Sequence, residues 1–544
     1  MTTTSAQARR VARATRRIVD GGRGLGFGTT ARWVLERGRS DQSDVEPENT
    51  SLTWVRADAD ATTVAWLTNY WSDSYDLASP CVEAALLDPD GCVVATEEIV
   101  LPTDGTVALD VRALCQRHDI ALPYHGQLLL RLRGPRLVAG RPVQVFAEYR
   151  RDDGECSGVH GQYGLVDTPA AQVVSSMRVV SDADHRTGFV ITNGYDGPGG
   201  PHAMRASATI HAADGRTWHA PIPTVDPQAT VIVYADELVP DLTAELGGAP
   251  GHARVQLACP SSRIATFIED RTTGRIVVNH GTVDRVFDQE PGIPATAGSV
   301  APVASVCVVI DARHDTVLGL PNVWGPRADD YTAEIAVFDL DGRAVAHTEV
   351  RVGRNCLQDV SLRDLVGLLH GERLQAEVRL HSPAPERERP HTFDVLVGMW
   401  VDGQLRAEAQ VGSDFYNAPV PDGVRWPDIR RTRIFGRVDE TAGRETWISL
   451  AYPIATGGTG DRTHPLLTLL SADGSRRAER LIELHPHGGL IAPLRELMPE
   501  VQDVLGPDGF GQLRVRDTEA RLYGYSWVKH PSASTFPLDH LIGG

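Results

Sequence analysis

The chain almost lacks lysine: of 53 basic residues among 544, only Lys529 is not arginine. That bias, beside abundant Ala, Gly, Asp and Val, fits a GC-rich coding sequence and carries no mechanism. No run of about 18 apolar residues occurs, which argues against a membrane-spanning helix. The N-terminus is positively charged but has neither the apolar core nor the small-residue cleavage site of a secretory signal. Seven cysteines, an odd number without CxxC spacing, exclude a disulfide framework and point to buried free thiols in a reducing cytosol. GxSxG, HExxH, a Walker loop and an EF-hand loop are all missing, so any catalytic site would be assembled from scattered residues. The stretch GGRGLGFG (21–28) has GxG spacing, but no strand precedes it and no Lys-Ser/Thr follows.

What the chain has in excess is negative charge, unevenly spread. Net charge is −18, yet residues 1–40 carry nine arginines against Asp20 and Glu36, which leaves a strongly acidic body. Such a body repels phosphate backbones, so no nucleic-acid partner is expected. Residues 6–19 (AQARRVARATRRIV) fit an amphipathic helix, with Val11, Ala14 and Ile18 on one face. Arg9, Arg10, Arg13, Arg16 and Arg17 are the basic residues of that segment and the expected attachment site for an anionic membrane surface or a partner. The alternative is a solubilising tail, or a helix docked on the acidic body.

Length alone suggests three or four domains, and internal spacing finds four. Asp-Gly turns stand at Asp90-Gly91, Asp214-Gly215, Asp341-Gly342 and Asp473-Gly474, and 23 residues after each glycine comes Leu114, Leu238, Leu365 or Leu497. An Asn beside a turn aromatic precedes the first three turns: Asn69-Tyr70-Trp71, Asn193-Gly194-Tyr195 and Asn322-Val323-Trp324. Short alternating strands such as RTGFVITN (186–193) and AEIAVFD (333–339) put one side-chain set on a core face. The expected architecture is all-β: four tandem antiparallel β-sandwiches of immunoglobulin or fibronectin type at 50–167, 171–288, 300–418 and 428–544, behind a basic segment 1–48. The likeness is architectural, since the immunoglobulin Cys-Trp-Cys signature is missing. DVRALCQ and PLRELMPEV could each form a helical turn or two.

Candidate chemistry is read from the repeat. Each unit ends on a polar group: His160-Gly161, Asn279-His280-Gly281, Ser413-Asp414 and Asp539-His540. His160, His280, Asp414 and His540 are thus the candidate catalytic residues, since imidazole and carboxylate groups at a unit interface can act as acid or base or hold a metal. The competing reading sets them one unit-length apart as equivalent structural positions, and no metal or cofactor is expected. Tyr70, Trp71, Tyr195 and Trp324, where a strand meets a loop, are candidates for stacking on a sugar or peptide, against core packing. Glu148 and Glu269 read as equivalent strand positions (FAEYR and FIEDR), and His485 and His487 as exposed loop residues.

Repetition of one fold favours multivalent contact over one catalytic centre. The reading is a non-catalytic, cytoplasmic binding or scaffold protein for a glycan, a polymer intermediate or a protein partner, recruited to the inner membrane face by its basic segment. The alternative is a hydrolase whose site forms between repeats from the terminal His and Asp residues.

Overall fold

The computed structural model describes residues 48–75, 77–133, 143–161, 172–194, 203–258, 264–283, 302–322, 330–367, 372–381, 393–414, 416–418, 431–456, 458 and 460–543. The expected N-terminal helix, with Arg9, Arg10, Arg13, Arg16 and Arg17, lies outside the described residues. So do Tyr195 and Trp324.

Four units follow one another with the same order in their eight main strands; the second and fourth add a short ninth strand, Thr282–Val283 or Ile542–Gly543, beside strand 1. Counted along a unit, strands 4-3-6-1 form one antiparallel sheet and strands 5-2-7-8 the other. In the second unit the first sheet runs Thr217–Val225, Met204–His211, Gly251–Leu257, Gln172–Val179. Its second sheet runs Thr230–Tyr234, His185–Thr192, Ala265–Asp270, Ile276–His280. The two-layer sandwich expected from the sequence is therefore present four times. Immunoglobulin sandwiches keep their first two strands in one sheet; here strands 1 and 2 lie in opposite layers, which in the first unit are joined at the corner by the Ala57–Thr62 pairing. A buried threonine stitches them together at their turn. Thr63, Thr187, Thr316 and Thr446 each accept from and donate to the backbone of the residue seven positions earlier.

Strand 5 of every unit runs into a short helix: Val111–Arg117, Ala235–Leu238, Leu362–Val366 and Leu494–Leu497. Asp110 and Ser361 cap two of them, each side chain accepting from the third backbone N–H. The residue most deeply buried in all four is not the repeated leucine but the one three positions earlier, Val111, Ala235, Leu362 or Leu494. Asn69, Asn193 and Asn322 are buried, and their side-chain amides donate to Pro102, Val225 and Val352 carbonyls, tying the end of strand 2 to the end of strand 4 or, for Pro102, to the loop just after it. No helix among the described residues is long and apolar enough to cross a membrane. Cys115, Cys156 and Cys307 are buried as expected, whereas Cys81 and Cys92 are exposed.

The units close into a ring, and the Asp-Gly turns are the teeth that close it. Each turn docks on the loop that precedes strand 5 of the next unit. Thr230 N donates to Pro89 O, Gly489 N to Leu340 O and Thr106 N to Ala472 O, so the fourth unit grips the first as the first grips the second. A Cβ on Gly91, Gly342 or Gly474 would come within 2.7, 2.2 or 2.1 Å of backbone atoms of the next unit, and all three have φ between 72° and 85°. Glycine is required there for two reasons, left-handed backbone and close approach. At Gly215 the nearest atom, Arg354 O, is 3.9 Å away.

One position on strand 1 alternates in chemistry from seam to seam. Pairing register makes Trp54, Arg178, Cys307 and Arg437 equivalent, each opposite Gln127, His252, Gln375 or Gln512 on strand 6. Trp54 of unit one stacks on Phe267 of unit two, with centroids 5.4 Å apart. Cys307 of unit three shares a core with Tyr525 and Trp527 of unit four. Arg178 of unit two instead pairs with Glu408 at 2.5 Å and Asp359 at 2.7 Å in unit three. Arg437 of unit four pairs with Glu148 of unit one, which also accepts from Trp66 Nε1 at 2.8 Å and pairs with Arg150. Burial pushes the Glu148 carboxyl up, but Arg150 and Arg437 outweigh it and hold the group at about 2.

Candidate functional site at the centre of the ring

Strand 8 closes each unit, and the four closing strands, Cys156–His160, Ile276–His280, Gln404–Gly412 and Leu538–His540, lie against one another around the ring's middle. Their register can be traced from the outside in. Strand 5 begins opposite Thr68, Thr192, Pro321 and Ala451, which fixes equivalent positions on strand 2. Two residues earlier, Trp66, Val190, Gly319 and Ser449 face Phe146, Ala265, Leu396 and Tyr525 on strand 7. Those four in turn face His160, His280, Gln410 and His540 on strand 8.

Three of these four positions are histidine, and ring closure brings them to one point. The His160 ring lies 4.4 Å from that of His280 and 4.6 Å from that of His540, both edge-on. One ligand-capable nitrogen from each lies within 4.8 Å of the others. Equivalent residues are thus not spaced one unit-length apart, because the units are arranged around a centre and not in a line. His160 and His280 are buried; His540 is partly so.

Each imidazole has its Nδ1 engaged. His160 Nδ1 lies 2.9 Å from Asp539 Oδ2, while His160 N donates to the same oxygen at 2.6 Å. His280 Nδ1 faces Gly281 O at 3.2 Å, and His540 Nδ1 faces Leu541 O at 3.3 Å. Burial pushes the Asp539 carboxyl up, but the neighbouring His160 and His540 hold it below the usual carboxylate range. Three imidazoles oriented from behind by a carboxylate and two carbonyls form a donor set suited to a transition metal.

Asp414 does not join this group. It bridges to Val303 through the backbone and pairs with Arg521 at 2.6 Å. The third unit contributes Gln410, because the hairpin of strands 7 and 8 carries a β-bulge between Met399 and Trp400. From the hairpin glycine, His160 and His280 come six residues later, while the bulge moves the equivalent residue to seven after Gly403. Gln410 is 4% exposed, and neither of its amide atoms has a hydrogen-bond partner.

The other sequence candidates fall elsewhere. Tyr70 and Trp71 are buried in the first unit's core, with Tyr70 stacked on Phe435 at 5.4 Å, so packing encloses both rings. Glu269 is not the equivalent of Glu148: register places Phe267 there, and Glu269 pairs with Arg186 at the end of its strand. His487 is at a seam, stacked on Phe338 and 2.9 Å from Glu377, and not a free loop residue. His211 and His252, which the sequence did not single out, stack at 4.6 Å. Burial, Arg254 and His219 lower His211 to about 4, and His252, buried beside it, falls well below its usual value.

A narrow cleft reaches the centre from the seam of units four and one, lined by Trp66, Phe146, Phe435, Arg437, Asp539 and His540. It has room for little more than a water molecule.

No protein-family model and no curated protein matches the chain. Two solved structures that resemble parts of it are glycosyl hydrolase family 2 members. One, from Bacteroides cellulosilyticus, is 12% identical over 49% of this chain and 26% of that chain, with a TM-score of 0.11. The other, from Bacteroides cellulosilyticus DSM 14838, is 11% identical over 66% and 36%, with a TM-score of 0.12. The chain therefore spans about a quarter to a third of their length. Likeness at this level carries no argument about fold or activity.

Proposed function

We propose that the chain is a non-catalytic binding or scaffold protein, a closed body that presents its outer loops and edges to a glycan, a polymer intermediate or a protein partner. The observation that carries this reading is the filled centre. The most concentrated polar chemistry among the described residues is buried between four packed strands, reached by a cleft too narrow for an organic substrate. Ligand pockets ordinarily enclose several hundred cubic ångströms. In this reading the acidic body remains soluble and the arginines of 6–19 supply attachment to an anionic surface at the inner membrane face.

The test is co-sedimentation with vesicles containing anionic lipid, using the full chain and one lacking residues 1–40, at low and high salt. Salt-sensitive binding that disappears on truncation supports recruitment; equal behaviour of the two chains overturns it. A second reading, a hydrolase, is favoured by the His160–Asp539 pair at 2.9 Å, the arrangement of a general base and its orienting carboxylate. Turnover of ester, peptide or glycoside reporters that is abolished by His160→Gln would establish it in place of the scaffold.

A further inference from the structure

We propose that the centre of the ring binds one divalent first-row transition ion of the zinc class, held by the imidazoles of His160, His280 and His540. The site does not depend on which partner the outer surface takes. Zinc and its neighbours favour imidazole nitrogen, and three imidazoles with one open position form a recurrent ligand set. With Nδ1 of each ring directed to Asp539, Gly281 O or Leu541 O, an ion would be taken by Nε2, and His540 Nε2 would exchange its 3.9 Å approach to Asp539 Oδ1 for it. The Asp539 carboxylate behind His160 makes the carboxylate–histidine–metal relay that raises ligand basicity, and it offsets part of the ion's charge in a buried place.

Two independent observations point the same way. Histidine occupies the same register position in three units, although nothing in a sandwich hairpin requires an imidazole there: the third unit forms the same strand pair with Gln410. Gln410 itself is buried with its amide oxygen and nitrogen unsatisfied, at the one equivalent position without histidine. A buried amide without partners costs about 1–3 kcal/mol. An ion or an ion-bound water at the centre would give such an amide a partner. Zn–N bonds are about 2.0–2.1 Å, so nitrogens within 4.8 Å of one another need only a small inward movement to share one ion.

Because all ligands come from different units, the ion would act as a clasp. It would link the first, second and fourth units at the point where the chain's most distant parts meet, and stability gained from it would appear as stability of ring closure.

The experiment uses the full chain, stripped with a chelator and titrated with Co²⁺ as a spectroscopic probe, then with Zn²⁺ in competition. The expected result is one equivalent of Co²⁺ with a visible d–d band of nitrogen-rich four- or five-coordination, displaced by Zn²⁺, and a rise in Tm on loading. His160→Gln, His280→Gln and His540→Gln should each weaken Zn²⁺ binding by about 100-fold or more, and Asp539→Asn by about 10–100-fold with the Co²⁺ band retained. Replacing the exposed His464 and the half-buried His485, which both face Glu483, should change nothing. Gln410→His supplies a fourth imidazole and should tighten binding, an outcome that does not require removing a buried ring. A folded, stripped chain that takes up no Co²⁺ or Zn²⁺ at one per chain overturns the proposal. So does binding that survives in His280→Gln or is lost with His464 and His485. If the glutamine variants do not fold, the Co²⁺ band of the native chain and its change in Gln410→His decide the matter.

Discussion

The seam between units one and two and the seam between units two and three occupy the same place in the architecture and use opposite chemistry. Trp54 meets Phe267 in the first; Arg178 meets Glu408 and Asp359 in the second. The pattern repeats, with Cys307 in a core shared with Tyr525 and Trp527 and then Arg437 against Glu148. At this one position on strand 1 the ring therefore alternates apolar, ionic, apolar, ionic, while ion pairs such as Arg275–Glu155 and His487–Glu377 also cross the two seams where it is apolar. The teeth interlock at three seams and approach more loosely at the one between units two and three, while the side chain behind them varies with what its partner complements. Docking geometry is set by backbone at the Asp-Gly turns, and pairing specificity by one position on strand 1.

The largest expected effect comes from stranding a charge at an ionic seam. Arg178→Met leaves Glu408 buried with Asn279 as its remaining donor, and should cost about 3–5 kcal/mol in urea unfolding. Adding Glu408→Leu should recover most of that loss, since a well-packed apolar pair replaces a buried ion pair at little net cost. Arg437→Met should be milder, because Arg150 still covers Glu148. Trp54→Ala at the apolar seam should cost about 3 kcal/mol, and no change at Phe267 should restore it, because the loss is volume. Rescue by a second substitution at both kinds of seam would dissolve the distinction.

Acid should strike one seam first. His252 stands where the other three units carry glutamine, and it stacks on His211. Folding keeps His211 neutral down to about pH 4, whereas the unfolded chain takes up the proton near 6.5, so this stabilisation is present above pH 6.5 and is lost as pH falls toward 4. A loss of about 3 kcal/mol across that window is expected. His252→Gln, which copies the other units, should flatten the profile. An unchanged profile would remove the His pair as its cause.

Smaller effects grade the teeth themselves. Gly474→Ala and Gly342→Ala force a Cβ against backbone of the next unit as well as a strained φ, and should cost about 2–3 kcal/mol in thermal unfolding. Gly215→Ala meets only the backbone strain and should cost about 1 kcal/mol. Equal costs at the three glycines would mean the turns do not interlock as described.

Sequence spacing revealed the repeat because a tight turn and a helix start are both punctual features with fixed chain length between them. It marked Leu114, Leu238, Leu365 and Leu497, one helical turn past the residues that anchor the core. The stitching threonines escaped notice because threonine is common in strands and its partner is backbone. His160, His280 and His540 were legible as chain-end positions, and their convergence was not, since His160 and Asp539 are 379 residues apart. Gln410 was hidden by a single bulge residue, since six residues after Gly403 stands Ala409; Asp414, four residues beyond Gln410, drew notice only as a polar residue near the unit's end. Alternation of polar and apolar residues reports which face of a strand is buried; it does not report what a neighbouring unit will place there.

The ionic seam between the last and first units has a consequence during synthesis. Glu148 and Arg150 emerge from the ribosome long before Arg437, 289 residues later in the case of Glu148. At about 5–20 residues per second, the first unit waits roughly 15–60 s with that face open to solvent. The Glu148 carboxylate and Arg150 guanidinium tolerate the wait in water, whereas Trp66 and Tyr70 on the same face stay without Phe510 and Phe435 of the fourth unit until the chain is nearly complete.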